Sequence, residues 1–191
     1  MSCITFIKNF IKSPGTIGAI CPSSPFLAEM ITSDVGIEKA SAIVELGPGT
    51  GVFTSRILNM KSAQSLFFAV ELNQEFYDGF KLKFPSVKIY NQNATELSSM
   101  VKQAGIESVD VILCGLPWAS FPAQLQDDIL SSISEVLSPG GCFTTFAYLQ
   151  GLLLPAGIRF RKTLKRHFSS VETSRTEWRN CPPAFVYRCY K

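Results

Sequence analysis

The chain holds one histidine, His167, and its six cysteines (Cys3, Cys21, Cys114, Cys142, Cys181 and Cys189) form no CxxC pair. So few ligands at no recognised spacing argue against a zinc site, and no metal is expected. The cysteines read as free, mostly buried thiols of a reducing compartment. Charge is also sparse. Charged residues make up 17% of the chain, and 18 Lys and Arg against 15 Asp and Glu leave a net charge of +3, too small an excess to mark a nucleic-acid binder by itself. There is no unbroken apolar run of membrane-spanning length: residues 139–158 lack charge, but Pro139, Gly140, Gly141, Gln150, Gly151, Pro155 and Gly157 interrupt them. The N-terminal MSCITFIKNFIKSPG has lysines inside its apolar pattern and no small-residue cleavage site, unlike a secretory signal. Without repeats or linkers, 191 residues that are 46% hydrophobic predict one cytoplasmic domain spanning 1–191, with 1–33 as an N-terminal helical cap.

Within that domain, apolar runs bounded by turn residues alternate with helical patterns. Strands are predicted over Ala42–Leu46, Leu66–Glu71, Val87–Tyr90, Val109–Cys114 and Gly141–Tyr148. Helices are predicted over Val52–Met60, Gln74–Lys83, Thr95–Ala104 and Ala123–Leu137, the last stopped by Ser138-Pro139-Gly140-Gly141. Alternation of this kind predicts an α/β fold with a mostly parallel sheet covered by helices on both faces. Ser169–Glu177 and Ala184–Tyr190 add two strands with no helix between them, an antiparallel hairpin closing the sheet. Five parallel strands plus a hairpin resemble the seven-stranded, Rossmann-like class I methyltransferases.

Ala42-Ile-Val-Glu-Leu-Gly-Pro-Gly-Thr-Gly51 sets a glycine-rich turn between a buried strand and a helix, where doubly wound sheets bind nucleotides. The dinucleotide pattern needs glycine where this chain has Val52, and a carboxylate at Glu45 would repel a pyrophosphate. Glu45 suits a cationic ligand instead. Glu71, twenty residues after Gly51, can accept from both hydroxyls of a ribose. A nucleoside without phosphate and with a positive group near Glu45 describes S-adenosylmethionine, the expected cofactor. Asn93, with Ala94 beside it, follows the third strand where many methyltransferases place an aspartate on the adenine amino group, and its amide oxygen can do the same work.

Four stretches together look like the small bacterial phospholipid N-methyltransferases of the phosphatidylethanolamine type, relatives of the rRNA adenine dimethyltransferases. They are Pro14-Gly-Thr-Ile-Gly-Ala-Ile-Cys-Pro-Ser-Ser24, Glu45-Leu-Gly-Pro-Gly-Thr-Gly-Val-Phe-Thr54, Gly115-Leu-Pro-Trp118 and Asn180-Cys-Pro-Pro-Ala184. The resemblance implies methyl transfer from S-adenosylmethionine to the head-group amine of an aminolipid. By position it implies that Ser23 and Ser24 help hold the cofactor's carboxylate, and that Glu45, Gly47 and Gly49 take its methionine part.

In Ile112-Leu-Cys-Gly-Leu-Pro-Trp-Ala-Ser-Phe-Pro122 the Leu-Pro-Trp is one that base-methylating enzymes often carry after an asparagine, and here that place is Gly115. An adenine amino group is a poor nucleophile that needs polarising oxygens and a stacking ring. A deprotonated aliphatic amine needs only alignment and exclusion of water. For such an amine, the carbonyls of Cys114 and Leu116 are the expected acceptors, Cys114 also bordering the cofactor. Leu116 and Trp118 are expected to wall the pocket, with the Trp118 ring attracting the cationic product, and core packing is the competing reading of that ring. Tyr148, at the end of the fifth strand, is the candidate for holding the ammonium through its hydroxyl. His167 sits in Arg159-Phe-Arg-Lys-Thr-Leu-Lys-Arg-His-Phe168, which reads as a solvated charged helix, so no general base stands out.

Ile4, Ile7, Phe10 and Ile11 share one face of a helical pattern with Lys8 and Lys12 opposite, fitting either packing on the domain or peripheral contact with an anionic membrane on its inner face. Arg159, Arg161, Lys162, Lys165 and Arg166 offer further positive charge. Alternatives to the aminolipid reading are an rRNA or DNA adenine methyltransferase, disfavoured by Gly115 and the mild charge, a soluble small-amine methyltransferase, and a cofactor-binding protein without turnover.

Overall fold

The structure, a computed structural model, describes residues 23–153 and 155–191. The helix expected over Ile4–Lys12 lies outside them. Seven strands form one sheet: β1 (Ala42–Leu46), β2 (Leu66–Val70), β3 (Lys88–Tyr90), β4 (Val109–Cys114), β5 (Leu137–Tyr148), β6 (Ser170–Thr173) and β7 (Ala184–Tyr190), in the order β3-β2-β1-β4-β5-β7-β6. The first five pair in parallel, and β7 runs antiparallel to both β5 and β6. All five β1 residues are buried, as a central strand covered on both faces requires.

Among the described residues six α-helices accompany the sheet: α1 (Pro25–Thr32), α2 (Val52–Met60), α3 (Gln74–Lys83), α4 (Leu97–Gln103), α5 (Ala123–Val136) and α6 (Pro155–His167). Ser24 caps α1, its hydroxyl accepting from Leu27 N–H with Pro25 at the first helical position. Asn73 caps α3 through Phe76 N–H. The helix expected from Thr95 begins instead as a 3-10 turn over Ala94–Glu96 and becomes α-helical at Leu97, because Asn93 Oδ1 takes Thr95 N–H and tightens the first turn. Strand β6 stops at Thr173, four residues short of the expected end, and only an isolated bridge from Glu177 to Ala184 continues the pairing.

Two apolar clusters pack on opposite faces of the sheet. One gathers Val44, Leu46, Cys114, Trp118, Phe143 and Phe160. The other gathers Ile43, Phe53, Leu113 and Val186, with Phe146 and Tyr148 at its margin. The alternation of Leu113 and Cys114 between clusters follows from the two-residue period of a strand. Among the described residues Cys114, Cys142, Cys181 and Cys189 are free thiols, all buried except Cys181, which is exposed. No described helix is long and apolar enough to cross a membrane, and no described cluster of His, Cys, Asp and Glu is arranged to hold a metal.

Candidate active site

The candidate site lies at the carboxyl ends of the parallel strands. Gly47, Gly49 and Gly51 all adopt positive φ, at 69°, 52° and 77°, a backbone course that side-chain-bearing residues rarely take. Gly47 N–H donates to Val70 O at 2.9 Å and Gly51 N–H to Pro48 O at 2.8 Å, which folds the turn back over the strand ends. A Cβ on Gly47 would meet Leu116 Cδ2 at 2.8 Å, whereas a Cβ on Gly49 would meet nothing within 4 Å. Gly47 is thus held against the protein and Gly49 faces open space, where a ligand can approach the backbone.

Glu45 is fully buried beneath this turn. Its Oε2 accepts the Thr54 hydroxyl at 2.6 Å, and its Oε1 is buried with no protein partner. Burial raises its pKa from 4.5 to about 8, opposed by the Thr54 hydrogen bonds and reinforced by the nearby Glu71 carboxylate. Glu71 follows β2, and burial raises its pKa too, against stabilising backbone N–H groups of Asn73, Gly49 and Leu72. An orphaned carboxyl oxygen, a second carboxylate and an open glycine turn form a donor-hungry cradle that fits a cationic nucleoside such as S-adenosylmethionine.

The loop after β4 packs directly on the glycine turn. Gly115 N–H donates to Leu46 O at 2.8 Å, and a Cβ on Gly115 would lie 2.6 Å from Gly47 O, closer than real Cβ atoms come to a backbone oxygen. Gly115 is therefore glycine for lack of room, a reason that sequence reasoning missed. The same Cβ position is 3.7 Å from Phe53, whose ring meets Phe146 edge-on at 6.1 Å, and Phe146 in turn meets Tyr148 at 5.7 Å. Phe53, Phe146 and Tyr148 thus make an aromatic row from the loop to the end of β5.

Trp118 lies elsewhere. Its ring is 4% exposed, stacked on Phe160 at 4.8 Å and edge-on to Phe121 and Phe143. Its indole N–H donates to Thr145 Oγ1 at 2.8 Å, and Thr145 donates on to Cys114 O at 3.0 Å. This corrects the expectation that Trp118 walls the pocket: the ring is core, on the opposite face of the sheet from Tyr148. The two carbonyls expected to face an amine are also engaged, Cys114 O by Thr145 and Leu116 O by Trp118 N–H at 3.0 Å. Gln126, buried on α5, fixes the turn further by donating to Trp118 O at 2.8 Å and Phe121 O at 3.1 Å.

The remaining expected residues take these places. Ser24 spends its hydroxyl on the α1 cap, and Ser23 precedes it, partly exposed. Asn93 Oδ1 accepts from Thr95 N–H at 3.1 Å, leaving one lone pair for another donor, and Ala94 is buried behind it. Thr54, Phe53 and Asn180 were legible only as parts of motifs, since nothing in their types announces a role.

No family model matches the chain. It is similar to an ornithine lipid N-methyltransferase of Singulisphaera acidiphila, 29% identical over 187 residues, covering 96% of this chain and 93% of that protein. Among solved structures, the O-methyltransferase of Bacillus cereus in complex with SAH superposes with a TM-score of 0.68 at 12% identity, covering 98% of this chain and 89% of that one. The N-methyltransferase NodS of Bradyrhizobium japonicum superposes at 0.65 with 12% identity, covering 88% and 97%. The fold is that of the class I, Rossmann-like methyltransferases.

Proposed function

We infer that the chain is an S-adenosylmethionine-dependent methyltransferase, and we propose that its acceptor is the head-group amine of an aminolipid. The observation that carries the acceptor is the similarity to the ornithine lipid enzyme, which runs through nearly the whole of both chains. The site supports it. When bound, the cofactor supplies an electrophilic methyl group. Glu45 Oε1 and the Gly47–Gly51 turn would hold its ammonium and methionine part, and Glu71 its ribose hydroxyls. Gly115 and the row Phe53, Phe146 and Tyr148 would shape a dry cleft for the acceptor. For an aliphatic amine that has already lost its proton, these residues would only have to align its lone pair with that methyl carbon and keep water out, the carbon–sulfur electrons remaining on sulfur.

An adenine acceptor is disfavoured by the contact between Gly115 and Gly47, which leaves no space for the polarising asparagine at that position. A lipid acceptor places the reaction at a bilayer surface, so peripheral contact with an anionic membrane belongs to this reading. Incubation with methyl-labelled cofactor and separate aminolipid, RNA and small-amine fractions tests it. Label is expected in the aminolipid fraction, and label confined to RNA or to soluble amines would overturn the assignment.

A further inference from the structure

Trp178 is 70% exposed, and no described residue covers its ring. It sits in the loop between β6 and β7, at the carboxyl edge of the sheet, the same edge as the candidate site. The loop is not slack. Arg179 N–H and Nε both donate to Glu177 Oε1, at 2.9 and 2.8 Å, and Nη2 donates to Glu177 Oε2 at 2.9 Å. The Arg179 guanidinium lies 3.7 Å from the centre of the Phe26 ring, itself 38% exposed. Asn180 Oδ1 accepts from Ser24 N–H, and Pro183 O accepts from Leu149 N–H at 2.9 Å, where β5 ends. These bonds pin the loop on both sides of Trp178, and the indole it carries is presented to water.

Positive charge stands on α6, which starts at the same edge and runs from it along the other face of the sheet from α1. Leu149–Leu153 leads into α6, whose residues 155–167 contain no acid. Leu152, Ile158, Arg161, Lys162 and Lys165 line a shallow groove on it, with Ile158 48% exposed. Among the described residues, Arg175, Arg161, Lys162 and Lys165 have no salt bridge. An exposed indole with Phe26 on one side of the sheet, and Ile158 among unpaired cations on the other, is the chemistry of a water–lipid boundary, where an indole sits at the head-group level and cations meet anionic lipid. Nucleic acid would also meet the cations, but an outward Ile158 and Phe26 favour an apolar partner.

We propose that Trp178 of the β6–β7 loop, together with Phe26 at the start of α1, docks the protein on an anionic bilayer, with the α6 cations on the other face of the sheet meeting the same surface, so that the site edge faces the membrane. This rests on the aminolipid reading of the site. Vesicles of phosphatidylglycerol and phosphatidylcholine are the probes. Trp118 is buried, so a blue shift of the exposed tryptophan emission on vesicle addition reports Trp178, and brominated lipid is expected to quench it. Trp178→Ala is expected to weaken vesicle binding at least tenfold while leaving turnover of a monomeric short-chain aminolipid unchanged. Arg161→Gln is expected to weaken binding to the anionic vesicles about fivefold and to neutral ones not at all. Vesicle affinity unchanged in Trp178→Ala, or emission shifted by an RNA oligonucleotide and not by vesicles, would overturn the docking. Trp178-dependent vesicle binding without methylation of any aminolipid would support the docking and remove the acceptor assignment instead.

Discussion

Asn180 Oδ1 accepts the backbone N–H of Ser24 at 3.0 Å, joining two segments 156 residues apart. Asn180 also donates through Nδ2 to Pro182 O at 2.7 Å, so one buried amide ties the start of α1 to the turn before β7. Ser24 and the Asn-Cys-Pro-Pro element thus meet in space. Asn180→Ala strands the Ser24 N–H and is expected to destabilise by about 1–3 kcal/mol in denaturant unfolding.

Ser24 offers a sharper distinction. Its hydroxyl caps α1 at 3.1 Å, whereas the family resemblance gives it the cofactor's carboxylate. If the cap is its role, Ser24→Ala costs about 1 kcal/mol of stability and leaves cofactor affinity within about twofold. Calorimetric titration with S-adenosylmethionine checks this, and a tenfold loss of affinity would assign the hydroxyl to the ligand.

Glu45 couples pH to both stability and binding. The folded-state pKa is raised to about 8 from 4.5, so between those values the folded protein keeps a proton that the unfolded chain has released. The stability of the ligand-free protein is therefore full below about pH 4.5 and falls as pH rises to about 8. Binding of a cation beside Oε1 favours the ionised form, so cofactor affinity is expected to rise with pH, by at most about tenfold per unit, and to level off above about 8. Glu45→Gln should flatten both profiles, raising thermal stability near pH 8 while weakening the cofactor. Melting temperatures and titrations across that range measure the two slopes.

Much of this was legible in the sequence because strand and turn patterns are local. The glycine turn, the acidic residue after β2 and the closing hairpin all follow from periodicity and turn chemistry, and the parallel pairing of the first five strands follows from their alternation with helices. What stayed hidden depends on which side of the sheet a residue falls. Trp118 and Tyr148 each stand near a strand end, and only the register of β4 against β5 shows that they occupy opposite faces. The role of Thr145 is hidden for the same reason: a threonine in a strand becomes a relay only once the indole above it is seen.

Trp118→Phe isolates that relay. Phenylalanine keeps much of the contact with Phe160 but removes the donor to Thr145, leaving a buried hydroxyl short of one partner. The expected cost is about 1–2 kcal/mol of stability with little change in turnover. A ring that contacted the reacting amine would instead lower kcat with stability unchanged, and steady-state kinetics beside denaturant unfolding separates the two.

Gly115 decides more than any other single residue. Gly115→Asn recreates the motif of a base-methylating enzyme, yet any Cβ there lies 2.6 Å from Gly47 O, a backbone atom of the cofactor turn that cannot rotate away. The turn or the loop must shift, and because Gly115 N–H also holds Leu46 O, a shift of the loop strains that bond as well. Gly115→Ala and Gly115→Asn are therefore expected to lose cofactor affinity together, by about tenfold or more, since the collision is set by Cβ and not by the amide. A simple loss of an open acceptor pocket predicts otherwise: alanine would be tolerated, asparagine would not, and cofactor affinity would hold in both. Titration of the two variants with S-adenosylmethionine separates these outcomes, and retained affinity in Gly115→Ala would show that the contact with Gly47 is not what fixes glycine at this position.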